Sequence, residues 1–120
     1  MKICVTASNS GFGAPVDPHF GRCGYFMFVD PGSMEFESIE NRQVSASGGA
    51  GVQAAQQVIG KGIDVLITGS VGPNAFSLLL SEGVEIKAFS AGSVLEAIEA
   101  YRAGTLETIG AANSAGKSGV

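Results

Sequence analysis

The chain begins with an alternation in which Ile3, Val5 and Ala7 point one way and Lys2, Cys4 and Thr6 the other. A two-residue period carried by β-branched side chains predicts a strand over residues 2–7. Residues 8–18 combine Ser, Asn and Gly with Pro15 and Pro18, a density of breakers that predicts a loop. Residues 24–30 (GYFMFVD) are a nearly unbroken aromatic and apolar run closed by Pro31-Gly32, and 34–41 alternates apolar with acidic positions, so the two predict a β-hairpin. Further on, Val52, Ala55 and Ile59 recur at i, i+3 and i+7, the spacing of a helix face that Gly60 and Gly62 terminate. Residues 64–68 (DVLIT) read as a buried strand. Pro73 then suits a first helical turn, and Phe76, Leu79 and Leu80 supply the apolar face of a second helix ending at Gly83. Residues 84–89 form a last strand. Ser93 with Glu96 makes a capping box opening a third helix, with Val94, Ile98 and Tyr101 inward and Glu96, Glu99 and Arg102 outward.

The predicted order β, β, β, α, β, α, β, α defines an α/β domain with a mixed sheet, an antiparallel hairpin in front and right-handed crossovers behind. Residues 111–120 are Ala, Gly, Ser, Asn and Lys without periodicity. The expected division is one domain over 1–109 and a flexible tail over 110–120.

Composition narrows the function. The chain has 120 residues, 45% hydrophobic and 15% charged, which suits one packed core and excludes a multidomain enzyme. Seven basic against eleven acidic residues leave a formal charge of -4 and a pI near 4.8, which disfavours nucleic acid as a partner. No apolar run approaches a membrane span, and the first strand follows Met1 directly, so the expectation is a cytoplasmic protein with reduced thiols at Cys4 and Cys23. Eighteen glycines place weight on the loops.

Two nucleotide motifs are imitated. Residues 111–118 (AANSAGKS) match the loose phosphate-loop pattern, but only two residues follow where a helix is needed. Gly49, Gly51 and Ala54 match G-x-G-x-x-A, yet Asp64 begins the next strand where the dinucleotide fingerprint needs an acid at the strand's end. What survives is a row of backbone N–H groups from Gly48, Gly49 and Gly51 at a helix N-terminus, where the dipole favours an anion. The loops 68–73 (Gly69, Ser70, Gly72) and 90–93 (Gly92) leave parallel strands at the same edge as the loop after Thr6, which holds Ser8. Together they predict a roomy, donor-rich pocket beyond the strand ends.

Residues 17–23 (DPHFGRC) carry the densest chemistry. His19 can ligate a soft or borderline metal, Arg22 can grip an anion and Cys23 can supply a thiolate, whereas Cys4, inside a strand, reads as core. A cysteine-hydrolase set of Cys23, His19 and Asp17 would lie within one loop and lacks a rigid base geometry. No catalytic set emerges.

The segments DPHFGRC, YFMFVD, GGAG, DVLITGSVGPNA and VEIKAFSAGSVLEAIEAYRAGTL together resemble the dinitrogenase iron-molybdenum cofactor biosynthesis family, and the resemblance covers residues 1 to about 109. The resemblance implies a ribonuclease H-like three-layer α/β/α fold with a five-stranded mixed sheet, order 3-2-1-4-5, strand 2 antiparallel. It implies a non-catalytic carrier of an iron-sulfur or molybdenum-containing sulfide cluster, which in the orange protein group is a molybdenum-copper cluster, with cluster donor and acceptor proteins as partners. The histidine of the H-F-G motif maps to His19; the loop chemistry above adds Cys23 as a candidate second metal ligand, with Ser8, Arg22, Gly48, Gly49, Gly51, Gly69, Ser70, Gly72 and Gly92 lining the expected pocket. A ribonuclease H-like fold also raises a metal-dependent nuclease, but the first strand offers Cys4 and Thr6 where carboxylates are required. The remaining alternative is a small-anion binding or regulatory module that uses the same pocket without metal.

Overall fold

The computed structural model describes residues 1–42 and 49–113. Its elements are β1 (Ile3–Ala7), β2 (Tyr25–Val29), β3 (Phe36–Glu40), α1 (Ala50–Gly60), β4 (Val65–Thr68), α2 (Pro73–Ser81), β5 (Glu85–Ala88), α3 (Val94–Ala103) and β6 (Glu107–Thr108). They build one sheet in the order β3-β2-β1-β4-β5-β6. β2 runs antiparallel to β1 and β3, while β1, β4 and β5 are parallel.

The central strands are apolar on both faces because both faces are covered. Cys4, Phe26, Phe28 and Leu66 pack with Ala54, Ala55 and Val58 of α1 and with Phe76 and Leu79 of α2. Ile3, Val5, Met27, Val29 and Ile67 pack on the opposite face against Val94, Ala97 and Ile98 of α3. The result is the three-layer arrangement expected, with order 3-2-1-4-5 preserved.

The expected count of five strands is corrected to six. β6 is two polar residues long, too short for an alternation to register, and it is defined by antiparallel pairing with β5 and by a bond from the Ile109 N–H to the Ile86 carbonyl at 2.8 Å. Two helix faces are also corrected. On α1 the buried positions are Ala50, Ala54, Ala55 and Val58, with Val52 only half-buried. On α2, Ala75, Phe76 and Leu79 face inward and Leu80 is 55% exposed. Leu80 follows Leu79 by about 100° of helical rotation, which carries it off the contact stripe.

The expected third-helix start is present in full: the Ser93 Oγ accepts the Glu96 N–H at 3.1 Å and the Glu96 carboxylate accepts the Ser93 N–H at 2.8 Å. No helix among the described residues is long and apolar enough to cross a membrane. Of the segment expected to be a free tail, Asn113 is hydrogen-bonded to the loop between β4 and α2. The phosphate-loop imitation runs into residues 114–118, which lie outside the described residues.

Because β1, β4 and β5 are parallel and β2 starts beside the end of β1, the carboxyl edge of the sheet receives the chain between β1 and β2, the β4–α2 loop and the β5–α3 loop. The predicted site residues on these connections therefore share one edge.

Candidate functional site

The floor of this edge is a pair of buried hydroxyls at the ends of adjacent strands. The Thr6 and Thr68 Oγ1 atoms are 2.8 Å apart, and the Thr6 hydroxyl donates to the Asp17 carbonyl at 2.7 Å. A hydroxyl has one proton, so Thr68 must donate to Thr6. The Asp17 N–H returns to the Thr6 carbonyl at 2.9 Å, and the Val16 N–H donates to the Gly92 carbonyl at 2.8 Å. These bonds dock the 15–20 segment across the strand ends.

From Asp17 the chain becomes a strap. The Pro18 carbonyl accepts the Ser70 N–H at 2.7 Å and the Ser70 hydroxyl at 3.1 Å, and the Phe20 N–H donates to the Ser70 carbonyl at 3.1 Å. His19 lies between these two anchored residues and pairs with Ser70 in a parallel bridge. Its side chain is 69% exposed. The Asp17 Oδ1 accepts the His19 N–H at 3.0 Å and stands 3.7 Å from Nδ1, so the carboxylate is on the Nδ1 side of the ring. A side chain at position 69 would put its Cβ 2.8 Å from the Pro18 backbone, which is why glycine is required under the strap.

The next turn brings the strap to α1. Gly21 has φ 77°, and a Cβ there would meet the Gly51 Cα at 3.0 Å. Arg22 is exposed at this junction, with its N–H on the His19 carbonyl at 3.2 Å. Asn41, buried at the end of β3, holds the turn from below: its Nδ2 donates to the Gly21 carbonyl at 3.2 Å and to the Cys23 carbonyl at 2.9 Å.

Two helices open here without a side-chain cap. α1 starts from Gly49 at φ 71° and α2 from Gly72 followed by Pro73. Among the described residues, neither N-cap residue supplies a side-chain bond to the first turn of its helix, where the dipole favours an anion. α3 is different, since its own capping box occupies its first turn, and a Cβ at Gly92 would lie 2.6 Å from the Glu96 Oε1. Gly92 serves that cap. Ser8 is exposed and bonds the Pro15 carbonyl through its N–H at 3.1 Å. Gly48 lies outside the described residues.

Cys23 is fully buried, in the same core as Phe20 and Phe26. Burial first, and the negative charge of Asp17 second, push its thiol up from 9.0 to about 12. Burial likewise raises the Cys4 thiol, with the neighbouring Cys23 adding to it. Both are neutral at physiological pH, and the buried Cys23 contrasts with the exposed His19. Among the described residues, no three of His, Cys, Asp and Glu are grouped to hold a metal ion.

The thiol burial has a measurable consequence. In the folded chain both thiols keep their protons above 9.0, where the unfolded chain loses them, so unfolding releases protons and stability falls as pH rises. We expect denaturant midpoints to be flat in this respect from pH 7 to 8 and to drop above pH 9, each thiol contributing up to about 1.4 kcal/mol per pH unit. A Cys23→Ala variant that declines equally steeply between pH 9 and 11 would contradict this.

Sequence reasoning missed Thr6, Thr68, Asn41 and Asn113. The two threonines had a signal, since Thr68 ends a predicted strand and Thr6 is the last residue but one of another, both at the ligand edge. The asparagines had none, because their partners lie 18 to 44 residues away.

A three-layer mixed-sheet α/β domain whose loops gather at the carboxyl ends of its parallel strands falls in the class of open α/β folds that take ligands at that edge. The particular family is now defined: the chain belongs to the family described as Dinitrogenase iron-molybdenum cofactor, matching it over residues 1–104. It is similar to the apo form of the orange protein from Desulfovibrio gigas, with a TM-score of 0.90 and 35% identity over 94% of this chain and 96% of that one. A Thermotoga protein of the DUF35 family superposes with a TM-score of 0.79 at 33% identity, covering 89% of this chain and 91% of its own. An uncharacterized protein of Methanocaldococcus jannaschii is 31% identical over 110 residues, 89% of this chain and 90% of the relative.

Proposed function

We propose that the protein is a non-catalytic carrier of a metal-sulfide cluster, iron-sulfur or molybdenum-containing, that receives the cluster from one protein and passes it to another. The observation that carries this reading is the strap: an exposed His19 whose two neighbours are bonded to Ser70, in a segment that reaches α1 at Gly51 and borders the loop leading into α2. A sulfide cluster is a bulky soft anion. It brings its own sulfur ligands, so one imidazole, the Arg22 guanidinium and backbone N–H groups of the α1 and α2 first turns suit it better than they suit a bare cation. Gly49 and Gly72 keep that surface open, while Gly51 lets the Gly21 turn approach α1. Membership of the iron-molybdenum cofactor family and likeness to the orange protein's apo form support the same cargo class. With Cys23 buried and protonated, we assign the ligand role to His19 and leave Cys23 to the core.

The small-anion reading has a specific observation behind it, namely the lack of a metal-ligating group of three among the described residues. Anaerobic reconstitution separates the two. Incubation with iron and sulfide, and separately with thiomolybdate and copper, should give coloured protein with near-stoichiometric metal after desalting. No retained metal from either mixture would sink the carrier and favour the anion module.

A further inference from the structure

The family match stops at residue 104, yet the chain continues through β6 and returns to the site. Asn113 meets the β4–α2 loop three times. Its Oδ1 accepts the Val71 N–H at 2.8 Å, its Nδ2 donates to the Gly69 carbonyl at 3.0 Å, and its N–H donates to the Val71 carbonyl at 3.1 Å. The opposite side of the same loop is bonded to the strap, through the Ser70 N–H to the Pro18 carbonyl and the Phe20 N–H to the Ser70 carbonyl. Three consecutive residues thus have their polar backbone groups, from the Gly69 carbonyl to the Val71 carbonyl, divided between Asn113 on one side and the residues flanking His19 on the other.

An asparagine amide suits this place because it offers an acceptor and a donor in one plane, matched to one N–H and one C=O of the loop. Alanine removes both side-chain bonds. Aspartate keeps the Val71 bond but turns an acceptor oxygen toward the Gly69 carbonyl, which is also an acceptor.

We propose that Asn113 is a positioning residue of the site: by locking the β4–α2 loop it fixes the Pro18–Phe20 strap and thereby the placement of His19, so that a segment past residue 104, where the family-model match ends, sets how long the cargo is retained. The locking stands on the hydrogen bonds themselves, whereas the retention part rests on the carrier reading. Loop and strap are coupled because each carries half of the other's backbone hydrogen bonds, and a loop released on one side opens more often on both.

The test is amide hydrogen exchange on the full apo chain, comparing the parent with Asn113→Ala and Asn113→Asp. In Asn113→Ala the Val71, Ser70 and Phe20 amides should exchange roughly tenfold faster, with Ile67 in the middle of the sheet unchanged. In Asn113→Asp, Ser70 and Phe20 should quicken while Val71 stays slow. Acceleration confined to Val71 in Asn113→Ala, or none, overturns the positioning role whatever the cargo. Protein loaded with thiomolybdate and copper is then challenged with a chelator, and several-fold faster release from Asn113→Ala is expected. Equal release rates overturn the retention part. If the parent takes up no metal, the carrier reading fails while the exchange data still decide the locking.

Discussion

His19→Ala should fold as the parent does and lose its cluster at least tenfold faster after anaerobic loading. The side chain is 69% exposed and lies outside both core clusters, so its removal costs within about 0.5 kcal/mol of stability, as for other surface substitutions. The strap itself survives, because its anchors are the backbone of Pro18 and Phe20 against Ser70 and not the imidazole. On the carrier reading, what disappears is the proposed metal ligand, and with it the part of the affinity that a hydrogen-bonding anion site cannot replace. Arg22 and the helix N-termini would still attract the anion, so the variant should take up colour weakly and release it on desalting. Visible spectra and metal analysis on parent and variant read this directly. Identical spectra and retention in the two proteins would remove His19 from the site.

The second large effect is on stability. Asn41→Leu should destabilise the domain by about 2–4 kcal/mol, since it strips the donor from two buried carbonyls at about 1–3 kcal/mol each. Those carbonyls belong to Gly21 and Cys23, the residues that turn the strap toward α1. For a domain of this size the loss corresponds to a melting temperature lower by roughly 10 °C. Leucine fills a similar volume, so a cavity does not confuse the result. Because Gly21 approaches the Gly51 Cα so closely, with only 3.0 Å available to a Cβ, a shift of the turn would also displace Arg22 from the first turn of α1. Thermal melts of the apo protein test the first part. A change below about 0.5 kcal/mol would mean that the carbonyls are satisfied in another way.

The site was legible in the chain to unequal degrees. His19 stood out because it is the sole histidine, set among Pro18, Gly21 and Arg22 in a stretch that neither helix nor strand accommodates. The glycines at 49, 51, 69, 72 and 92 were visible as a group, but their roles were not. Gly69 makes room for Pro18, Gly92 makes room for Glu96, and Gly49 and Gly72 open helices, distinctions that depend on what stands opposite each one. Cys23 illustrates the limit most clearly. Its sequence neighbours, His19 and Arg22, lie on the exposed side of the strap, while its own side chain turns under it into the core. A separation of one or four positions in an irregular loop carries no information about which way a side chain points.

Whereas the order of the first five strands came from the family resemblance, local chemistry in the sequence by itself determined the element order, the hairpin and the capping box of α3, because periodicity, turn residues and caps are read within a few residues of one another. It also determined the acidic charge that disfavours nucleic acid. Tertiary structure decided the rest: the pairing of β6 with β5, the burial of Cys23, the exposure of Leu80, the joined hydroxyls of Thr6 and Thr68, and the grip of Asn113 on residues 69–71. Each depends on partners brought together across tens of residues. Such contacts form only once hydrophobic burial has closed the chain on itself, and hydrogen bonds between groups so far apart leave no periodic trace.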